Sequence, residues 1–528
     1  MEVWYAKSVC HKGSNAIPLS FAKWVDKNVT RVFLHSSTID VESYLETKEI
    51  TRYFDKELPD GLQFGDAFLH SYLLSKTILN VLPEVQTIPS NIVIIIEQDG
   101  VLPYFLMQQK WTLHSKLRDI QIITVHNETH LKSSEYRFPQ YWIKQIEQQC
   151  LGYSDTSLIW DKEVWDVIQQ QNGVRNAKYI SLDTPGNFDW NKELKIGVNE
   201  FGSENQIDFP FHFAIPLKTS SHFENEKKSL SIIIPYYNLG DLIIETIESI
   251  LLSTYSDIEV IVVNDGSNDV ESIDILRIIS SKYNNLNIVN IENRGLANAR
   301  NIGAKVAKGK YIAFLDADDK VDPNYYERCV KILERYKNIS FVHSWVQYFG
   351  LKNDIWVTYN TAFPYLLLSN MLSAFAVIRR EDFLNYGLNR IEMEKGMEDY
   401  DSWISLCSNG CVGVSIPEPL VYYRIRIDSM SRKFNRNIVN DLYLKISEYH
   451  KPLYEKHGFE IFNLLYANGP GYLWNNPTIS YPRVGLLTDD ESGEFNNNKY
   501  ELLRIVNSKR GRFIINIMLK LKINKWFK

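Results

Sequence analysis

Short runs of apolar, mostly β-branched residues recur along this chain, separated by stretches with helical spacing. In the second half they follow closely on one another: Leu230–Ile234, Glu259–Val263, Asn287–Ile291 and Tyr311–Leu315. Helical patterns fill the intervals at Asp241–Leu252, Ile273–Tyr283 and Leu296–Lys308. The first half shows the same alternation, with runs at Val32–His35, Ile92–Ile96, Ile120–Val125, Ser157–Trp160 and Lys178–Leu182. Helical patterns at Asp66–Leu82 and Tyr141–Leu151 lie among them. A nearly continuous apolar run is what a strand buried on both faces of a parallel sheet requires. Strand and helix in alternation therefore predict α/β folds built on parallel sheets.

The length of 528 residues exceeds one ordinary core, and about 100–200 residues per domain gives two to four domains. Residues 216–229 (PLKTSSHFENEKKS) are polar and predict a linker. They separate a Rossmann-like α/β block, 1–215, from a second α/β block, 230–434. From about residue 435 to 528 the pattern turns helical and aromatic-rich, with a surface loop expected at 485–498.

The formal charge is −6, from 58 Lys and Arg against 64 Asp and Glu. That balance argues against a generally basic nucleic-acid coat, and no nucleic-acid partner is expected. The charge is unevenly spread. Lys499–Lys528 holds nine Lys or Arg and one Glu, a charge of +8, which leaves −14 on the preceding 498 residues. Phe513, Ile514, Ile517, Met518 and Leu521 share one helical face of this tail, and Trp526 and Phe527 close it. Such a stretch suits an anionic membrane surface. The alternative is a helix docked on the protein's own acidic body. Five cysteines without a CxxC pair predict reduced thiols, with no disulfide framework or structural zinc. The N-terminal MEVWYAKSVCHKG lacks the apolar core of a signal peptide. No run approaches the ~18 apolar residues of a spanning helix. A cytoplasmic location is expected, peripheral at the inner face of the membrane if the tail binds there.

Polar groups collect where the strands of the second block end, the place where open α/β sheets hold ligands. The first strand runs into Pro235, Tyr237 and Asn238. The second runs into Asn264-Asp265-Gly266-Ser267, in which Asp265 suits either a nucleobase N–H or an Asx turn. Asn293-Arg294-Gly295 precedes a helix whose N-terminus favours phosphate, with Arg300 one turn inside. The fourth strand delivers Asp316-Ala317-Asp318-Asp319. Three carboxylates within four residues repel one another unless a cation or solvent intervenes, and hard oxygen ligands suit Mg2+ or Mn2+. Farther on, Met397–Trp403 (MEDYDSW) offers Glu398, Asp399 and Asp401 ahead of a helical pattern, Trp403–Cys407. One of these carboxylates suits a general base; acids also commonly decorate helix N-termini. Tyr422–Arg432 (YYRIRIDSMSR) carries Arg424, Arg426 and Arg432, suited to phosphate oxygens or to a surface loop.

In this order the six motifs resemble glycosyltransferase family 2 over about 200 residues, 230–431. The resemblance implies a GT-A fold, a nucleotide-sugar donor, a divalent metal, and inversion at the anomeric carbon. It places Pro235, Tyr237 and Asn238 beside the nucleotide, and Asp265 on the base, usually uracil. It sets Gly295, Arg300 and Ala317 in the donor site, Arg300 near ribose or phosphates. Asp316 and Asp318 become the metal-binding DxD pair, with Asp318 the direct ligand. Asp399 becomes the base, with Glu398 beside it. Two departures stand out. Asn264 replaces the first Asp of the common DDGS, and Arg426 stands where many relatives carry a His that touches the metal or diphosphate. Arg426 cannot ligate a cation, so the metal has fewer protein ligands or the guanidinium meets phosphate directly.

The first block resembles, by strand order and by His126-Asn127, the N-terminal half of GT-B transferases of family 4. An acceptor-binding, partner-binding or vestigial role follows from that resemblance, and His126 fits a satisfied strand-end histidine better than a catalyst. The expected function is transfer of a sugar, from a UDP-sugar, to a glycan or lipid-linked acceptor in bacterial surface polysaccharide or glycoconjugate synthesis. A sugar nucleotidyltransferase needs a Gly-rich loop after the first strand, and PYYNLGD has one Gly. A non-catalytic scaffold made of degenerate transferase domains is the other alternative.

Overall fold

The structure is a computed structural model. It describes residues 2–7, 17–35, 45, 47–53, 66–83, 92–98, 101–126, 129, 131, 141–171, 174, 176–184, 188–194, 209, 229–283, 286–351, 353–427 and 435–468. Most of the expected linker, Cys10, Asn127, Arg432, the 485–498 loop and the basic tail lie outside the described residues.

The first sheet contains β1 (Glu2–Lys7), β2 (Val29–His35), β3 (Glu49–Tyr53), β4 (Ile92–Gln98), β5 (Gln121–His126), β6 (Thr156–Ile159) and β7 (Ala177–Tyr179). Its order is β3-β2-β1-β4-β5-β6-β7, and every described pairing is parallel. This is the doubly wound arrangement that the apolar runs predict, with the order reversing between β1 and β4. The central strand β1 is absent from the sequence-predicted runs. Its apolar stretch is only Val3–Ala6, flanked by Glu2 and Lys7 at the chain start.

The second sheet contains β8 (Leu230–Tyr236), β9 (Ile258–Asp265), β10 (Leu286–Ile291), β11 (Tyr311–Phe314), β12 (Lys320–Val321), β13 (Ile339–Gly350), β14 (Ile355–Trp356), β15 (Val377–Arg379) and β16 (Val412–Ile425). Its order is β10-β9-β8-β11-β15-β13-β16-β12, with β14 on β13. The strands β10, β9, β8 and β11 are parallel, as predicted. Past β11 the sheet is mixed. The β15 strand is antiparallel to both neighbours, and β12 is antiparallel to β16. The order puts the ends of β8, β9 and β11 side by side, so their terminal polar residues face one crevice.

Long β16 contains Pro417 and Pro419, which read as strand breakers. The strand survives by bulging: Ser344 pairs with Ile416, but Trp345 pairs with Pro419. The bulge meets the helix Tyr104–Trp111, whose eight residues are all buried. The Gln108 side-chain amide donates to Asn360 Oδ1 and to the Ser415 carbonyl, each at 2.8 Å. Gln109 donates to the Pro417 carbonyl at 3.2 Å. Arg328 donates to the Thr112 carbonyl at 2.8 Å and to Gln109 Oε1 at 2.7 Å, and forms an ion pair with Glu418. Around these polar contacts Tyr72 and Phe105 pack on Trp345, and Phe209 lies between Trp111 and Tyr336. One apolar core therefore runs through both sheets.

The expected C-terminal helices are Arg436–Tyr449 and Lys451–Asn468. Leu442 and Ile446 bury against the second sheet's other core, which contains Trp403, Ile404 and Leu406. Among the described residues, Cys150, Cys329, Cys407 and Cys411 are buried free thiols. No helix among those residues is long and apolar enough to cross a membrane.

Candidate active site

Two loops at the ends of β8 and β9 are tied together by Asn238. Its Oδ1 accepts from the Asn268 N–H at 3.0 Å, its Nδ2 donates to Asn268 Oδ1 at 2.8 Å, and its N–H donates to Ser267 Oγ at 3.1 Å. Asn238 sits at φ 48, a left-handed conformation that Asn tolerates better than most residues. Tyr237 beside it is exposed, whereas Pro235 is buried within β8.

The Asn264–Ser267 segment closes as an Asx turn: Asn264 Oδ1 accepts from the Ser267 N–H at 3.0 Å. Asn264 Nδ2 donates to Asn290 Oδ1 at 2.9 Å, a contact a carboxylate cannot make. Gly266 has φ +69, and a Cβ there would stand 2.8 Å from the Asn293 backbone nitrogen. That close approach lets the next loop fold over Asp265. One oxygen of Asp265 accepts from the Arg294 N–H and the other from the Gly295 N–H, each at 2.9 Å. Asp265 thus fixes the turn that opens the helix Leu296–Val306, and Gly295 caps it at φ 88.

One turn along that helix, Arg300 is almost fully buried. It donates through Nη2 to Asp316 Oδ1 at 2.8 Å and through Nη1 to Glu398 Oε1 at 2.7 Å. Burial by itself would lower its pKa, but the Asp316, Glu398 and Asp399 carboxylates outweigh burial and hold it above the usual value. Arg300 therefore joins the acidic loop after β11 to the helix Glu398–Ser408. The sequence pattern set Glu398 and Asp399 ahead of a helix; the structure puts them in its first turn.

In the acidic loop, Ala317 is buried and Asp316 and Asp318 keep partial access to solvent. Burial, with the charge of Asp316, pushes Asp318 up to about 6 against the lowering effect of Arg426. Asp319 points inward, with Oδ1 accepting from the Arg424 N–H at 2.7 Å. Arg424 is committed to this loop. Its Nε donates to the Asp318 carbonyl at 2.8 Å, its Nη2 to Glu245 at 2.9 Å, and its guanidinium lies 4.5 Å over the Phe349 ring. Arg426 Nη1 stands 3.3 Å from Asp318 Oδ2. Sequence reasoning missed Glu245, which no strand-end motif marks.

The three carboxylates of the second acidic cluster have separate environments. Glu398 is buried on Arg300. Asp401 is buried between His450 Nε2 at 2.7 Å and Arg390 at 3.0 Å, so it anchors the C-terminal helices. Asp399 is partly exposed and takes no side-chain partner among the described residues. Burial raises its pKa, although Arg300 pulls it down. In the first sheet, His126 is buried, 3.0 Å from Thr124 Oγ1, and burial pushes it down to about 3. It is a satisfied strand-end histidine.

Comparison with known proteins identifies the family of the second α/β unit. Residues 231–393 match the family model for glycosyl transferase family 2. A glycosyltransferase of Haemophilus influenzae without an assigned activity is 32% identical over 232 residues, covering 39% of this chain and 68% of that protein. The UDP-Glc:alpha-D-GlcNAc-diphosphoundecaprenol beta-1,3-glucosyltransferase WfaP of Escherichia coli is 31% identical over 226 residues, 41% of this chain and 85% of that protein. The uncharacterized glycosyltransferase YibD of Escherichia coli K12 is 43% identical over 103 residues, only 20% of this chain and 30% of its own length. The second sheet, parallel up to β11 and mixed beyond, has the GT-A form. The chain belongs to glycosyltransferase family 2.

Proposed function

We propose that this chain transfers a sugar from a UDP-sugar to a glycan or lipid-linked acceptor, with inversion at the anomeric carbon. The observation that carries the reading is the linkage through Arg300 of Asp316 to the helix start, where Asp399 is partly exposed and takes no side-chain hydrogen bond among the described residues. The similarity to WfaP, whose name states a UDP-glucose donor and a diphosphoundecaprenol-linked acceptor, supports the choice of donor and acceptor class. Residues 230–434 are the transferase unit in this reading, 1–215 an accessory unit, and 435–528 a C-terminal region whose basic end favours peripheral contact with an anionic membrane.

Asp399 takes the proton of the acceptor hydroxyl as that oxygen attacks the anomeric carbon. A single in-line displacement needs only this one base. Glu398 is a positioning residue that holds Arg300, and Arg300 in turn orients Asp316. Asp265 keeps the β9 turn in shape for the nucleoside. Asp316 Oδ2 and Asp318 Oδ1 take no side-chain partner among the described residues. Such a donor set fits Mg2+ or Mn2+ held through one or two carboxylates and the donor phosphates. A bound ion would neutralise charge on the departing diphosphate.

Thermal-shift measurements with UDP- and GDP-sugars in Mn2+ test the donor class. Stabilisation by UDP-sugars is expected. No response to any nucleotide sugar would overturn the reading, and a response to GDP-sugars alone would overturn the choice of base.

A further inference from the structure

The helix Glu398–Ser408 starts without a side-chain cap, because Met397 holds the cap position at φ 61 and offers no oxygen to the first N–H groups. That start is knit instead to the chain just before it. Ser402 Oγ donates to the Gly387 carbonyl at 2.5 Å, and Asp401 pairs with Arg390 at 3.0 Å. Residues 387–402 thus form one unit, and the place of Asp399 depends on what holds that unit to the rest of the site.

The helix Leu296–Val306 reaches across to it with two adjacent residues, which hold it differently. Arg300 grips the Glu398 side chain at 2.7 Å. Both partners of that ion pair sit at the ends of jointed stems, so it leaves the Glu398 backbone room to turn. Asn301 grips backbone. Its Nδ2 donates to the Asn389 carbonyl at 2.7 Å, and its Oδ1 accepts from the Asn389 N–H at 2.9 Å. A carboxamide supplies both the donor and the acceptor this needs, and two bonds to one residue fix orientation as well as distance. Asn389 passes the hold onward, with Nδ2 donating to the Glu398 carbonyl at 3.3 Å. That carbonyl belongs to the planar peptide unit leading into Asp399. Asn389 is 5% exposed, and its Oδ1 is buried without a hydrogen-bond partner among the described residues. An apolar side chain of that size would avoid this cost. The bond that its amide does make ends next to Asp399.

We propose that Asn301 is a positioning residue for the base: acting through Asn389, it sets the backbone at Glu398 and so the place of Asp399. The inference rests on the reading of Asp399 as the base.

UDP release from UDP-glucose, UDP-galactose and UDP-N-acetylglucosamine with a lipid-linked acceptor, alongside UDP titration, tests this on the full chain. Asn301→Ala should lower kcat at least about tenfold, the scale of a misplaced reacting group, and leave UDP affinity within about twofold of wild type. Asn389→Ala, which removes the second link and leaves the first, should show the same split and serves if Asn301→Ala does not fold. The double variant Asn301→Ala/Asp399→Asn should be no slower than Asp399→Asn alone, because a residue that acts through the base has no effect once the base is gone. A merely structural role would slow the double variant further. Wild-type turnover by Asn301→Ala, a loss of UDP affinity that matches the loss of rate, or additive losses in the double variant would overturn the inference and leave Asp399 as the base. Wild-type turnover by Asp399→Asn, or no release by the wild type from any of these donors, would overturn the reading of the site, and the inference with it.

Discussion

Glu398 and Asp399 are adjacent in sequence, yet the fold gives them different surroundings. Burial, with the charge of Asp399, pushes Glu398 up from 4.5 to about 7, although Arg300 pulls the other way. A carboxyl whose pKa rises on folding favours the folded state only while it stays protonated. Its contribution is complete below pH 4.5 and disappears as pH rises through about 7. Urea denaturation should therefore show stability falling across that window, with a shallower fall in Glu398→Gln; equal slopes would contradict the assignment. Gly266 supplies a second test at this scale. Gly266→Ala puts a Cβ at φ +69 and against Asn293, a strain of about 1–3 kcal/mol. It should lower the melting temperature and weaken UDP binding together, because the displaced loop is the one Asp265 holds.

Among the elements, the helix Leu296–Val306 transmits most of the site's geometry. It lies so close to the sheet that a Cβ on Gly303 would stand 2.3 Å from Ile233 Cγ2. Gly303→Ala should cost about 1–3 kcal/mol by overpacking and should shift Arg300, reducing turnover beyond what the stability loss explains. Thermal melts and initial rates on the same preparation separate the two effects. The parallel half of this sheet was legible because β8, β9 and β11 are continuous apolar runs that end in polar turns. The mixed half was hidden for definite reasons. Two prolines interrupt β16, and β13 carries His343, Ser344 and Gln347 among its apolar residues. The start of the helix Glu398–Ser408 was also hidden, because Met397 occupies the cap at φ 61 where Ser, Thr, Asp or Asn would announce it. The polar residues that the loops bring together could be read from sequence, whereas the contacts each one makes could not. Nothing local distinguishes Glu398, which holds an arginine, from Asp401, which holds a histidine, or from Asp399, which has no side-chain partner among the described residues.

At the scale of the molecule, the polar stretch 216–229 suggests two separable modules, whereas the sheets share one core. The helix Tyr104–Trp111 makes that junction and lacks a sequence signature, since a helix buried on all sides has no polar stripe. Its buried Lys110 is satisfied by Asp155 at 2.8 Å and the Ile120 carbonyl at 2.7 Å. The bulge of β16 binds this helix, and the same strand leads to Arg424 and Arg426. The first sheet thereby buttresses the strand that serves the acidic loop. Arg328→Ala leaves Glu418 without its arginine at the junction and should destabilise the protein by about 2–4 kcal/mol. Tryptophan fluorescence and far-UV circular dichroism should follow one shared unfolding transition. Separate transitions would show that the two sheets unfold independently.

In the proposed reaction Asp399 acts as the base of sugar transfer at this site. UDP release from a panel of UDP-sugars with a lipid-linked acceptor, compared between wild type and Asp399→Asn, addresses it most directly, with UDP titration as the binding control. Both proteins should bind UDP equally, and the variant should release it at least about 100-fold more slowly, the scale of a lost general base. Release by Asp399→Asn at the wild-type rate would contradict it.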